Sequence, residues 1–296
     1  MKTLKTLLVI ILVITSLSSC IKKEDPEPST TACKAMGYTY DQSTLTYDLV
    51  WAEEFDGTAV NLDNWTYETG GSGWGNNELQ YYTNGLNSTV KDGLLNIEIR
   101  KESFEGKNYT SSRMISRNKA DFLYGKIDVY AKMPENKGSW AAVWMMPTSS
   151  SAYGPWPNSG EIDIVEYVGY APDRVYGTVH TASYNHKKGT QRGFDTTIKD
   201  ADTFHLYTVE WLPDQIRFYI DGKFMYRFAP GLFLNCPTSK AWPFDRKFFL
   251  IVNTAVGGDW GGAQGIAETG WPQNMQVDYI RVYQSPQMPA ILATKK

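Results

Sequence analysis

From about Tyr40 onward, apolar and polar residues alternate in short runs broken by Gly, Asn, Asp and Pro, and no 3.6-residue period persists. Alternation with a period of two marks strands with one buried face, so the pattern predicts an all-β chain. Strands are expected at 94–100, 125–133, 140–146, 161–168, 175–181, 206–211, 216–220, 248–253 and 276–283. Asp221-Gly222 stands between the runs IRFYI and KFMYRF, a strong two-residue hairpin signal. Some twelve to fifteen strands without a linker predict a sandwich of two large antiparallel sheets, with 40–285 as one domain and 286–296 as a C-terminal tail.

The first twenty residues follow a different pattern. Lys2 and Lys5 precede an apolar run over 7–14, and small residues lead to Cys20. This is a secretory signal, too short to span a bilayer. Leu17-Ser18-Ser19-Cys20 resembles the lipobox of bacterial lipoproteins, which implies lipidation of Cys20 as the first mature residue. Residues 21–39, with Pro26 and Pro28 among charges, read as a flexible tether. The expected location is a bacterial membrane, the outer one, with the chain displayed outward and anchored without spanning. Cys33 and Cys236 remain, either paired or as isolated thiols. His180, His186 and His205 are the only histidines and lack the spacing of a zinc site, so no cofactor is expected for catalysis.

Charge and composition narrow the partners. In 296 residues, 29 Lys and Arg face 32 Asp and Glu, so there is no basic footprint for nucleic acid. A monomer is expected. Ten Trp, 19 Tyr and 12 Phe exceed what packing alone calls for, and Trp suits sites where flat amphipathic ligands stack.

Candidate chemistry lies in GEIDIVEY at 160–167, where Glu161, Asp163 and Glu166 interrupt an apolar strand. Strict alternation puts Glu161 and Asp163 on one face and Glu166 on the other. One residue absorbed as a β-bulge between Asp163 and Glu166 would return all three to one face, and bulges are frequent beside active sites. Three like charges on one patch call for a cation or a use. Calcium takes such oxygens but favours Asn/Asp/Gly loops. The other use is proton sharing: one carboxyl stays protonated while another is ionised, as glycoside hydrolysis requires. Between 139 and 171 stand Trp140, Trp144, Tyr153, Trp156, Tyr167 and Tyr170 without one Lys, Arg or His, favouring an uncharged sugar over a sulfated or acidic polymer.

SGEIDIVEYVG resembles the catalytic motif of glycoside hydrolase family 16 in the bulged form typical of laminarinases, which are endo-β-1,3-glucanases. The similarity continues, in order, through LVWAEEFDG (49–57), WGNNELQYYT (74–83), RMISRNKADFLYGKIDVYAKMP (113–134), SWAAVWMMP (139–147), GTVHT (177–181), FHLYTVEW (204–211) and FLIVNTAVGGDWGG (249–262). The resemblance implies a concanavalin-like β-jelly roll with a concave substrate cleft and a retaining double displacement on β-glucan. It makes Glu161 the nucleophile, Glu166 the acid/base and Asp163 the residue that orients the nucleophile. It also implies sugar contacts for Trp140, Trp144, Asn77, Glu78, Arg113 and His180, with Trp156 and Trp260 as further platforms. Arg113 is alternatively a surface salt bridge, and His180 a hydrogen-bonded strand residue. A structural calcium is implied at the Gly93 carbonyl and Asp278, although Asp278 also reads as an outward-facing strand residue. The bulge points to β-1,3-glucan such as laminarin, with mixed β-1,3/1,4-glucan or a galactan such as agarose as other substrates. The competing classes are a surface lipoprotein that captures glycan without cutting it and a transglycosylase.

Overall fold

A computed structural model describes residues 37–234 and 236–295. Among them are two eight-stranded sheets and one two-stranded parallel pair, Gln80–Tyr82 with Tyr109–Ser111. The front sheet runs Arg192–Thr197, Arg174–His180, Glu161–Val168, Ser139–Pro147, Phe248–Val256, Arg113–Ile115, Thr66–Tyr67, with Asp121–Phe122 beside Phe248–Val256. The back sheet runs Lys223–Phe228, Ile216–Ile220, His205–Trp211, Gly125–Lys132, Gln273–Gln284, Leu94–Ile99, Ser88–Lys91, with Asp48–Glu53 against Gln273–Gln284. Pairing within both sheets is antiparallel throughout.

The alternation read from the sequence is the burial pattern. Leu95, Ile97 and Ile99 point inward from one back strand and Ile127, Val129 and Ala131 from another, and Ala141, Val143 and Met145 meet them from the front. Burying such side chains stabilises by about 1.5–3 kcal/mol each for the larger ones. Trp65 and Trp211 lie in the same core with their indole N–H groups satisfied, by Glu53 Oε2 and the Phe244 carbonyl. At the hairpin, Asp221 and Gly222 both have positive φ (50° and 75°), the type I′ geometry that matches strand twist.

The strand count is higher, because short strands of two to six residues such as Thr66–Tyr67, Gln80–Tyr82 and Arg113–Ile115 carry too little periodicity to read. Within the C-terminal tail, Met288–Ala293 form an α-helix whose Met288 and Ile291 are buried, and Gln287 bonds the chain at Thr44 and Thr46. Thr39, placed in the tether, bonds Thr294, so the folded unit reaches into 37–39. The signal segment, Cys20, Cys33 and residues 21–36 lie outside the described residues. Cys236 is disulfide-bonded.

Candidate active site

Glu161–Val168 lies between Ser139–Pro147 and Arg174–His180. On one side Asp163 stands opposite Trp144 and Glu166 opposite Ala142; on the other, Glu161 pairs with His180, Asp163 with Thr178 and Glu166 with Tyr176. Both registers slip between Asp163 and Glu166, leaving Ile164 without an opposite number, so the expected bulge is present. All these partners belong to the face away from the core, and the three carboxylates share it. Gly160, with φ +87°, turns the chain into this strand; a Cβ there would lie 2.8 Å from Pro243 Cγ.

The patch is crowded and nearly dry. His180 Nε2 is 3.2 Å from Asp163 Oδ2 and 3.6 Å from Glu161 Oε1, and Trp140 Nε1 donates to Glu166 Oε1 at 3.2 Å. Burial pushes the Glu161 carboxyl up to about 8, the charge of Asp163 adds to this, and His180 opposes it. Burial and then Asp163 likewise push Glu166 to about 8, against His180 and the Trp140 hydrogen bond. Asp163 is raised well above the usual range by burial, with its hydrogen bond to Glu161 pulling the other way. Such a group gives up its protons in steps that belong to the cluster, and near neutral pH it holds a protonated acid beside an ionised carboxylate.

Aromatic walls surround the patch. Trp260 packs edge-on against Trp140 at 5.4 Å and Tyr176 at 4.8 Å. Trp144 donates to Asn253 Oδ1 at 2.7 Å, Asn253 to Tyr82, and Tyr82 to Glu78 Oε2. Arg113 is clamped between Trp74 and Trp144, at 5.0 and 4.8 Å from their rings, and bonds Glu68 at 2.6 Å. Trp156 adjoins His180 and His186, with Lys187 Nζ 5.0 Å from its ring centre.

The sequence model of glycosyl hydrolases family 16 matches residues 74–281. The beta-glucanase of Rhodothermus marinus is 46% identical over 260 residues, 85% of this chain and 90% of the relative. The chain belongs to glycosyl hydrolases family 16. A laminarinase structure from Rhodothermus marinus superposes with a TM-score of 0.79, covering 82% of this chain and 99% of that one at 46% identity. SCLam, a non-specific endo-beta-1,3(4)-glucanase of the same family crystallised with an oligosaccharide, gives 0.76 at 39% identity, covering 88% and 100%. The jelly-roll sandwich expected from the sequence is the family 16 fold.

Within this family 16 cleft the expected residues divide. Trp140, Trp144, Trp156, Trp260, Arg113 and His180 gather around the carboxylates as described. Of the two readings of Arg113, the salt bridge is present, to Glu68, and the guanidinium also lies over the Trp144 ring. Asn77 is exposed and bonds Asp259, next to Trp260. Glu78 departs from expectation: it is 5% exposed, and its carboxylate accepts from Gln80, Tyr82 and Asn76, so it braces the Trp144 network from behind instead of presenting to a sugar. The lack of cations within 139–171 does not extend to the cleft, because Arg113 and Lys187 reach the aromatic walls from strands and loops outside that stretch. Asn253, Trp74, Tyr176 and His186 are site residues the sequence reading passed over. Asn253 did carry a signal, as a lone amide within the apolar run FLIVNTAV.

On the back sheet, Val277 pairs with Leu95 and so carries Asp278 alongside the Lys91–Leu94 turn that holds Gly93. Asp278 sits at a bulge against Gly125–Lys132, and its carboxyl is raised by burial, then by the charges of Glu54 and Asp56. A backbone carbonyl and a carboxylate are hard oxygen donors of the kind calcium takes, while both oxygens of Glu54 are held by Arg281.

Raised carboxyl pKa values set the sign of a pH dependence. With folded values near 8 and unfolded values near 4.5, the contribution of Glu161 is fully present below about 4.5 and is lost as pH rises through about 8. Glu161→Gln is therefore expected to be more stable than the parent at pH 9 by at least about 1.4 kcal/mol, the equivalent of one pKa unit, with the gap closing at pH 4. Urea unfolding at the two pH values measures it; a gap independent of pH would contradict the shift.

Proposed function

We infer that this glycosidase is an endo-acting, retaining hydrolase of β-glucan, and that it works on β-1,3 linkages, as in laminarin, with mixed β-1,3/1,4-glucan as a second substrate. The observation that carries the reading is the bulge that sets Glu161, Asp163 and Glu166 on one face amid Trp140, Trp144, Trp156 and Trp260. The indole platforms take the C–H faces of the sugars. Glu161, ionised, attacks the anomeric carbon while Glu166 passes its proton to the leaving glycosidic oxygen, giving a glycosyl-enzyme. Glu166, now a carboxylate, draws a proton from water, which displaces Glu161 with net retention. Asp163 holds Glu161 in place and keeps a shared proton nearby; His180 offsets the negative charge. Simple capture of glycan would gain nothing from three like charges that destabilise the free protein, which disfavours a binding-only role.

Four outcomes test these readings. New reducing ends should appear from laminarin and barley glucan but not from agarose, with the β-anomer formed first by NMR and kcat/KM falling as pH passes about 8. Glu166→Gln should lower kcat on laminarin by about 10²- to 10⁴-fold while melting no lower than the parent, since it removes a carboxyl whose ionisation burial disfavours; activity retained in that variant sinks the mechanism. Calcium is proposed at Gly93 and Asp278, where 100 times its Kd would add about 2.7 kcal/mol; calcium-dependent melting should vanish in Asp278→Asn, and no calcium shift in the parent removes the site. Membrane attachment through lipidated Cys20 is proposed from the signal segment, and Cys20→Ser should release the enzyme from the membrane fraction; a variant that still sediments with membranes refutes it.

A further inference from the structure

Glu161, Asp163 and His180 converge on a single point, with one donor atom from each lying within 4.8 Å of the other two. Zinc-class ions bind imidazole nitrogen and carboxylate oxygen at about 2.0–2.2 Å in a tetrahedron, which spaces ligand atoms about 3.3–3.6 Å apart. The separations of His180 Nε2 from Asp163 Oδ2, 3.2 Å, and from Glu161 Oε1, 3.6 Å, already bracket that spacing. A second observation is independent of the carboxylate count. Asp163 is 3% exposed, and its Oδ2, facing His180, has no hydrogen-bond partner among the described residues. His180 Nε2 lies 3.2 Å away without completing a hydrogen bond, and a buried carboxylate oxygen in that position carries an unmet cost that a cation would recover. One imidazole with two carboxylates suits zinc and its neighbours over calcium or magnesium, which favour oxygen alone.

We propose that Glu161, Asp163 and His180 form a binding site for a divalent transition-metal ion, and that occupancy inhibits the enzyme by tying up Glu161. The fourth position faces the cleft and takes water. No covalent step is involved: the ion and its water occupy the space beside Glu161 that the anomeric carbon needs, so the ion and the sugar exclude each other. The site rests on side-chain geometry alone; only its inhibitory consequence rests on the proposed reaction.

Zinc chloride is the probe, titrated calorimetrically into the full chain with calcium in excess to fill oxygen-only sites. One zinc ion per chain is expected, with affinity falling at least about 100-fold in His180→Gln and in Asp163→Asn and holding in His186→Ala. The zinc absorption edge of the parent complex should show a single imidazole among light-atom ligands, a readout needing no variant. With laminarin, zinc should raise KM, leave kcat unchanged and be reversed by chelator. Absence of stoichiometric binding, binding that survives His180→Gln, or a ligand shell without one imidazole overturns the site. Zinc bound as expected with kinetics unaffected overturns the inhibition while leaving the reaction itself standing.

Discussion

One extra residue in one strand governs this molecule. With Ile164 taken up as a bulge, Glu166 returns to the face of Glu161 and Asp163; without it, Glu166 would point into the core between the sheets. The consequence is electrostatic. Three carboxyls share a surface from which water is largely excluded; burial lifts the proton affinity of all three, and the charge of Asp163 adds to it at Glu161 and Glu166. This is strain of a useful kind, because it keeps one proton on the cluster at a pH where isolated carboxylates have lost theirs.

The rest of the front sheet holds that arrangement rigid. Phe248–Val256 is buried along its whole length, covered by the core on one side and by the cleft floor on the other. Its Asn253 fixes Trp144 through one hydrogen bond and reaches Glu78 through Tyr82, while Ile115, Phe249 and Ile251 pack beneath Trp144 and Met146. Five tryptophans, at 74, 140, 144, 156 and 260, are thereby committed to the cleft, and three, at 65, 211 and 242, to the core. The aromatic excess of the composition thus has two separate causes.

What the sequence made legible follows from the range of the interaction. Alternation is local, and it located the long strands; the parity of Glu161, Asp163 and Glu166 is local too, and it required the bulge. The two-residue strand at Thr66 and the helix at Met288 depend on packing against distant partners, so no local period marks them. Glu78 shows the same limit within the site. The family resemblance made it a sugar contact; its partners Gln80 and Tyr82 are close in sequence, but the bridge from Glu78 to Gly257 and the bond from Asn253 to Tyr82 that seat this segment against a distant strand are not legible locally.

Charge in the cleft is likewise a property of space and not of sequence neighbourhood. The absence of Lys, Arg and His between 139 and 171 pointed to a neutral polymer, yet the folded cleft contains Arg113, His180, His186 and Lys187. Their state matters more than their number. Arg113 is spent on Glu68 and two indole faces, and His180 on Glu161 and Asp163, so neither offers a free charge to a sulfate or carboxylate on a sugar. Lys187, exposed on the face of Trp156, is held by a contact of only about 0.5–1 kcal/mol. A neutral glucan still fits this cleft best, because Arg113, the cation beside the Trp144 platform, is already paired.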